Sequence, residues 1–216
     1  MNWENILPDL EPSLQIVVLL VILSMLPLII VTMTPFLRIL IILSLLRTSL
    51  GTQQVPPNLV VIGMAIISTG YVLCPTLIQI NETALIPLSN QRITVPQAIG
   101  EAYKPLRKFM LKQTEMKDLA FFYRLSNEPN PTSPEQVGFR QLIAAFLLSE
   151  LRTSFQIGFL IFIPFLVIDL IIANILLAFG MIMLSPTIVS LPFKLLIFVA
   201  VDGWTLIIKG LVQSFN

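Results

Sequence analysis

FLIFIPFLVIDLIIANILLAF, residues 159–179, decides how this chain is read. Its one charge is Asp169. A membrane-crossing helix needs roughly 20 mostly apolar residues, and this run supplies them. Gly180-Met181-Ile182-Met183-Leu184-Ser185-Pro186 follows as a short loop. The chain then returns through Leu191-Pro192-Phe193-Lys194 to Val201-Asp202-Gly203-Trp204. Two apolar arms, each with a lone charge, therefore flank a sulfur-rich turn. A helix on the surface of a soluble protein keeps a polar face, and these arms have none. The pattern predicts a membrane assembly in which the charges meet partners and the turn borders something open.

Composition supports that class. Hydrophobic residues make up 56% of the chain and charged residues 12%, with mean hydropathy +0.89. These values place the chain among membrane proteins. The net charge of +1 gives no argument for nucleic acid or for a polybasic lipid patch. Histidine is absent and Cys74 is the only cysteine. Histidine catalysis, cysteine-rich metal sites and intrachain disulfides are thereby excluded. Cys74, inside an apolar run, reads as a small core residue. Glu4, Asp9 and Glu11 precede the first apolar run, where a signal peptide would carry Lys or Arg. That run reads as a retained segment.

Outward from the decisive stretch, the chain divides into residues 1–79, 80–152 and 153–216. The first division holds an apolar segment from Leu14 to Met33, broken by Pro27. A second apolar element, Leu37 to Leu50, carries Arg38 and Arg47, with Gly51 as its expected C-cap. A third runs from Leu59 to Leu73, with Pro75 near its end. Prolines inside helices remove a hydrogen bond and kink the axis. Residues 80–152 hold nine of the basic and seven of the acidic residues, and read as a soluble helical insert. Pro96 to Lys117 shows helical spacing through Ala98, Ala102, Leu106, Phe109 and Met110. Leu119 to Leu125 continues or restarts it. Phe139 to Phe155 is a further helix. The positive-inside bias puts the N-terminus outside, and the insert outside with it. Helices that bury these surfaces against neighbouring subunits would give the same hydropathy. The expected class is all-α and membrane-associated: kinked helical hairpins with an extracytoplasmic helical insert.

Few residues carry chemistry. A lone Asp169 in mid-helix needs a partner or a wet cavity. It reads as a structural pair, with proton relay as the alternative. Lys194 pairs with Glu150 or Asp169, across a subunit interface, or else snorkels at a helix end. Asp202 caps or pairs locally. Met181, Ile182 and Met183 form either ordinary packing at a hairpin tip or, repeated by symmetry, a deformable constriction. Methionine re-packs readily, and hydrophobic constrictions exclude water and ions. Arg38 and Arg47 lie two and a half turns apart, so they predict structural anchoring or two separate contacts rather than one anion site.

Several spaced blocks carry a resemblance. They are Arg38-Ile39 through Leu45-Leu46-Arg47, then Leu50-Gly51-Thr52 with Pro56-Pro57-Asn58, and Pro105 to Met110 with Gln113-Thr114. Most specific are Ser149 to Phe159, Ile163-Pro164-Phe165 to Asp169, Gly180-Met181, and Leu191 to Lys194 with Asp202-Gly203-Trp204. On these the chain resembles the FliP family of flagellar export-gate proteins and its virulence, SctR-like counterparts. The resemblance implies a non-enzymatic core subunit of a type III export apparatus, without cofactor or metal, in the bacterial inner membrane. It implies about five copies, joined with FliQ- and FliR-type subunits in a helical closed cone, as heterologous contacts allow. FlhA- and FlhB-type export proteins are implied partners, and unfolded proteins are the substrates. Much of such a cone sits above the membrane plane. Met181, Ile182 and Met183 match the family's pore gasket. Glu150, Asp169 and Lys194 match positions that hold subunits together. Flagellar members often carry three methionines in the gasket; Ile182 here is apolar but stiffer. They often also carry a signal peptide and a longer N-terminus, which this sequence does not display. The later blocks favour the flagellar branch over an injectisome.

The chief rival is a proton-coupled ion transporter using Asp169. No phosphate-binding glycine loop supplies a nucleotide site. An intramembrane enzyme would need a serine or carboxylate constellation that the sequence does not offer.

Overall fold

The computed structural model describes residues 12–52 and 54–215. Glu4, Asp9 and Glu11 lie outside the described residues. Among those described, the regular elements are helices without strands. In chain order they are α1 (Pro12–Met33), α2 (Phe36–Ser49), α3 (Asn58–Ile80), α4 (Ile86–Ser89), α5 (Val95–Gln113), α6 (Met116–Leu125), α7 (Phe139–Ala178), α8 (Pro186–Ala200) and α9 (Gly203–Gln213). A π-helical turn, Asn81–Leu85, joins α3 to α4, and a 3-10 turn, Pro134–Gln136, precedes α7.

Three boundaries differ from the sequence reading. The helix that starts at Asn58 does not stop at Pro75; it runs to Ile80 and on through the π turn to Ser89. The segments 139–155 and 159–179 are one helix of 40 residues, with Pro164 inside it. Each proline deletes a single backbone bond, whereas ending the helix in an apolar setting would leave several groups unpaired. Continuation is therefore the cheaper outcome. The return arm also begins earlier than Leu191: Pro186 sits in the first turn of α8, where a missing N–H costs nothing.

The chain packs as two compact units. One comprises Met1–Pro35, described from Pro12, with Leu73–Glu150. Its core gathers Met33, Met110, Leu119, Tyr123, Val137, Leu142, Ala145 and Phe146. Helix α5 opens with a capping box in which Thr94 and Gln97 exchange bonds with each other's backbone N–H. It ends where Thr114 and Glu115 turn extended, so α6 is a restart rather than a continuation. Ser149 secures that break: its hydroxyl accepts from the Glu115 N–H at 3.0 Å and donates to Asp118 Oδ2 at 2.7 Å. Arg107 ties the approach to α7 by donating to the carbonyls of Pro134, Glu135 and Val137.

The second unit comprises Phe36–Val72 and Leu151–Asn216. Leu46, Leu50, Phe165 and Phe198 form its core, with Ile161, Ile168, Trp204 and Ile207 against it. Helix α2 is drawn close to α7 at Gly158, where a Cβ would lie 2.2 Å from Leu45 Cδ1. The two arginines of α2 make separate contacts. Arg38, almost fully buried, donates to the Ser214 carbonyl and lies 4.0 Å over the Phe215 ring. Arg47 donates to the Pro56 carbonyl and to Asn58 Oδ1.

Among the described residues, two helices, Asn58–Ser89 and Phe139–Ala178, are long and apolar enough to cross a membrane. The count rises to four if Pro27–Met33 with Phe36–Ser49, and Pro186–Ala200 with Gly203–Gln213, are each one bent span. Only 11% of the most apolar stretch of Phe139–Ala178 is buried within the chain. Its apolar surface therefore demands lipid or other subunits as cover.

Candidate functional site

The site lies in the hairpin of α7 and α8. Helix α7 ends in a left-handed glycine, Gly180, at φ +72°. The Met181 N–H reaches back to the Leu176 carbonyl and the Gly180 N–H to the Leu177 carbonyl. This paired closure satisfies orphan carbonyls at the helix end and fixes the exit direction of the chain. Met181, Ile182, Met183 and Leu184 are 49%, 79%, 101% and 50% exposed. A hairpin tip packed into its own core would bury these side chains; in this chain they project outward.

Below the turn the two arms are bonded. Lys194 Nζ donates to Asp169 Oδ2 at 2.7 Å and to the Ser49 carbonyl at 3.0 Å. Of the two acids expected for Lys194, Asp169 is the one bonded to it, and the bond forms within one chain rather than across a subunit interface, because the α7–α8 hairpin folds the two side chains together. Ser49 is the last residue of α2, so its carbonyl has no acceptor role inside the helix. The lysine thus serves as both counter-ion and C-terminal cap. Ser190, one turn before Lys194 and fully buried, donates from its hydroxyl to Asp169 Oδ1. Lys194 is 2% exposed and Asp169 30%, so the pair is open on the carboxylate side only. Glu150 is fully buried at the boundary of the other unit, with interactions of its own.

Asp202 has a different part. It adopts a left-handed conformation, φ +50°, between α8 and α9, and its side chain makes no cap hydrogen bond to α9. The axes of α8 and α9 differ by 65°. Gly203 permits this bend: a Cβ there would stand 2.2 Å from Phe198 Cε2. Phe198 meets Trp204 edge to face at 5.3 Å. Among the described residues, no group of three or more His, Cys, Asp or Glu could hold a metal ion.

Sequence reasoning named Asp169 and Lys194 but missed Ser190, the Ser49 carbonyl and Phe198. Ser190 was accessible in principle. It precedes Lys194 by four residues, which places both on one helical face. The Ser49 carbonyl was not, because every residue has one.

The FliP family profile matches residues 19–211. This chain belongs to the FliP family. Its relatives include flagellar biosynthetic protein FliP of Bacillus subtilis (strain 168), 46% identical over 96% of this chain and 94% of that protein. The protein of the same description from Pectobacterium carotovorum subsp. carotovorum is 49% identical over 94% of this chain and 79% of its own length. The one from Caulobacter vibrioides (strain ATCC 19089 / CIP 103742 / CB 15) is 46% identical over 95% and 77%. The family assignment thus extends over both units and over the whole α7–α8 hairpin of this FliP-family chain.

Proposed function

We propose that this chain is a core subunit of the flagellar type III protein export gate in the bacterial inner membrane. About five copies would assemble with FliQ- and FliR-type subunits into a helical cone. FlhA- and FlhB-type proteins would be its further partners, and unfolded flagellar proteins would pass through its centre. Its role is to conduct and seal rather than to catalyse. Residues 80–152 serve as the extracytoplasmic insert between hydrophobic segments 1–79 and 153–216. The flagellar description shared by the relatives favours this system over an injectisome.

One observation carries the reading: Met181, Ile182 and Met183 stand exposed on a turn whose backbone is pinned at both flanks. Copies arranged around an axis would bring these side chains into one apolar ring. Such a ring excludes ions by dewetting, yet yields to a passing chain because methionine side chains re-pack. Asp169 and Lys194 hold the two arms beneath the ring. The exposed edge of Asp169 is left for contacts that hold subunits together.

Two variants test this. Met181, Ile182 and Met183 together changed to Gly should make purified, reconstituted complexes leak small ions; unchanged conductance refutes the gasket. Asp169→Asn separates the rival transporter. A relay carboxylate would lose transport in a fully assembled complex, whereas a structural one shows as failed assembly, read by native mass. The bonded lysine argues for the structural role, because it neutralises the charge that a relay would pass on.

A further inference from the structure

We propose that Met181 and Met183 are oxidation sites at which peroxide opens the closed gate, with Ile182 as the oxidation-proof remainder of the seal. The inference rests on the gasket reading above and adds to it a covalent modification.

Three observations lead there. Met183 is fully exposed and Met181 half exposed, in a turn that presents them away from the body of their own chain. The residue between them, Ile182, is 79% exposed and has no sulfur. The other described methionines supply contrasts: Met116 is 77% and Met25 48% exposed outside the turn, Met64 is half-buried, and Met33 and Met110 are buried in a core.

The chemistry is a two-electron oxygen transfer from hydrogen peroxide. A sulfur lone pair attacks one peroxide oxygen, the O–O bond breaks, and a proton passes to the departing oxygen. The thioether becomes a sulfoxide and the peroxide is reduced to water. The side chain keeps its length but gains a strongly polar acceptor. A constriction that is closed because it is dry loses that property once its wall accepts hydrogen bonds from water. Hydrogen peroxide is close to water in size, so it reaches the sulfur atoms from whichever side of the constriction is wet. Two of three apolar layers are converted and the isoleucine layer is not, so the oxidised gate leaks without standing fully open. Methionine sulfoxide reductases reverse the change, one enzyme for each epimer.

The test uses the complex purified from co-expression with the FliQ- and FliR-type subunits and reconstituted in liposomes. It is treated with hydrogen peroxide and read by peptide mass and by ion leak. Oxygen addition, about 16 Da, is expected on Met181 and Met183 and on the reporter Met116, with Met33 and Met110 protected. Leak is expected to rise several-fold and to fall again after treatment with both reductases. The variant Met181→Leu with Met183→Leu should show no peroxide-dependent rise above its own untreated leak. If that pair fails to assemble, Met183→Leu alone should halve the response or better. The proposal is overturned if Met116 is oxidised and the turn is not. It is equally overturned if the turn is oxidised without added leak in a complex that the triple Gly variant opens, or if the Leu variants respond like the parent. A tight triple Gly variant is a different result: the gasket reading itself then fails, and the inference falls with it.

Discussion

The Asp169–Lys194 pair makes an unequal prediction for its two members. Asp169→Ala leaves an ammonium group that is 2% exposed, with only the Ser49 carbonyl opposite it. Orphaning a buried charge in this way costs about 3–5 kcal/mol. Lys194→Met is milder. The methionine keeps the apolar stem, and the remaining carboxylate is 30% exposed and still receives the Ser190 hydroxyl. The losses are then two hydrogen bonds, the charge-assisted one to Asp169, about 1.5–3 kcal/mol, and the cap on the Ser49 carbonyl, about 1 kcal/mol. Replacing both partners, with Asp169→Leu and Lys194→Met, removes the charge rather than stranding it, and should cost less than the single Asp169→Ala change. The assay is the denaturation midpoint of the detergent-purified complex, followed by its helical circular dichroism and completed as a double-mutant cycle. Two results would refute the reasoning. One is Lys194→Met as damaging as Asp169→Ala, which would mean that the carboxylate is sealed from water. The other is a double variant whose cost equals the sum of the single variants, which would mean that the two side chains are not coupled.

Further expectations concern backbone approach and a buried phenol. Gly203→Ala should cost about 1–3 kcal/mol, because its Cβ would displace the Phe198 ring from its contact with Trp204; near-ultraviolet circular dichroism of the tryptophan should change with the midpoint. Gly158→Ala meets only the tip of the Leu45 side chain, which can turn aside, and gains about 0.8–1 kcal/mol of helix propensity. Its midpoint should therefore stay near that of the parent, and a loss as large as that of Gly203→Ala would contradict this. Among the described residues, none hydrogen-bonds the buried Tyr103 Oη within normal geometry, and Arg107 is the polar side chain that acts on it. Burial raises its pKa above 10.0, although the Arg107 guanidinium pulls the other way. The folded state thus holds the phenol proton longer than the unfolded chain, and stability falls as pH rises from about 10 toward the higher folded value. Tyr103→Phe should remove that alkaline loss and be neutral to stabilising by about 1 kcal/mol at pH 7; a clear destabilisation would show that the hydroxyl has a partner.

Much of the site was legible because its signals are local. Hydropathy marked both arms, Gly180 and Pro186 marked the turn, and the lone charges marked where partners were needed. Asp169 and Lys194 also stand at nearly equal distances from Ile182, the register expected of two arms folded at that turn. The continuity of α7 was not legible. Gly158 and Pro164 are local breakers, and their cost is outweighed by backbone bonds over a length that no short window sees.

The amino-acid sequence by itself determined the membrane class, the helical hairpin, the methionine turn, the family and the need for a partner at each buried charge. Tertiary structure alone decided that Lys194 takes Asp169, that Ser190 and the end of α2 complete the pair, and that Gly203 exists for the Phe198 ring. The division has one physical cause. Propensity and hydropathy act along the chain and can be summed from it, whereas a buried charge is satisfied by whichever group the packing of separate helices brings within about 3 Å.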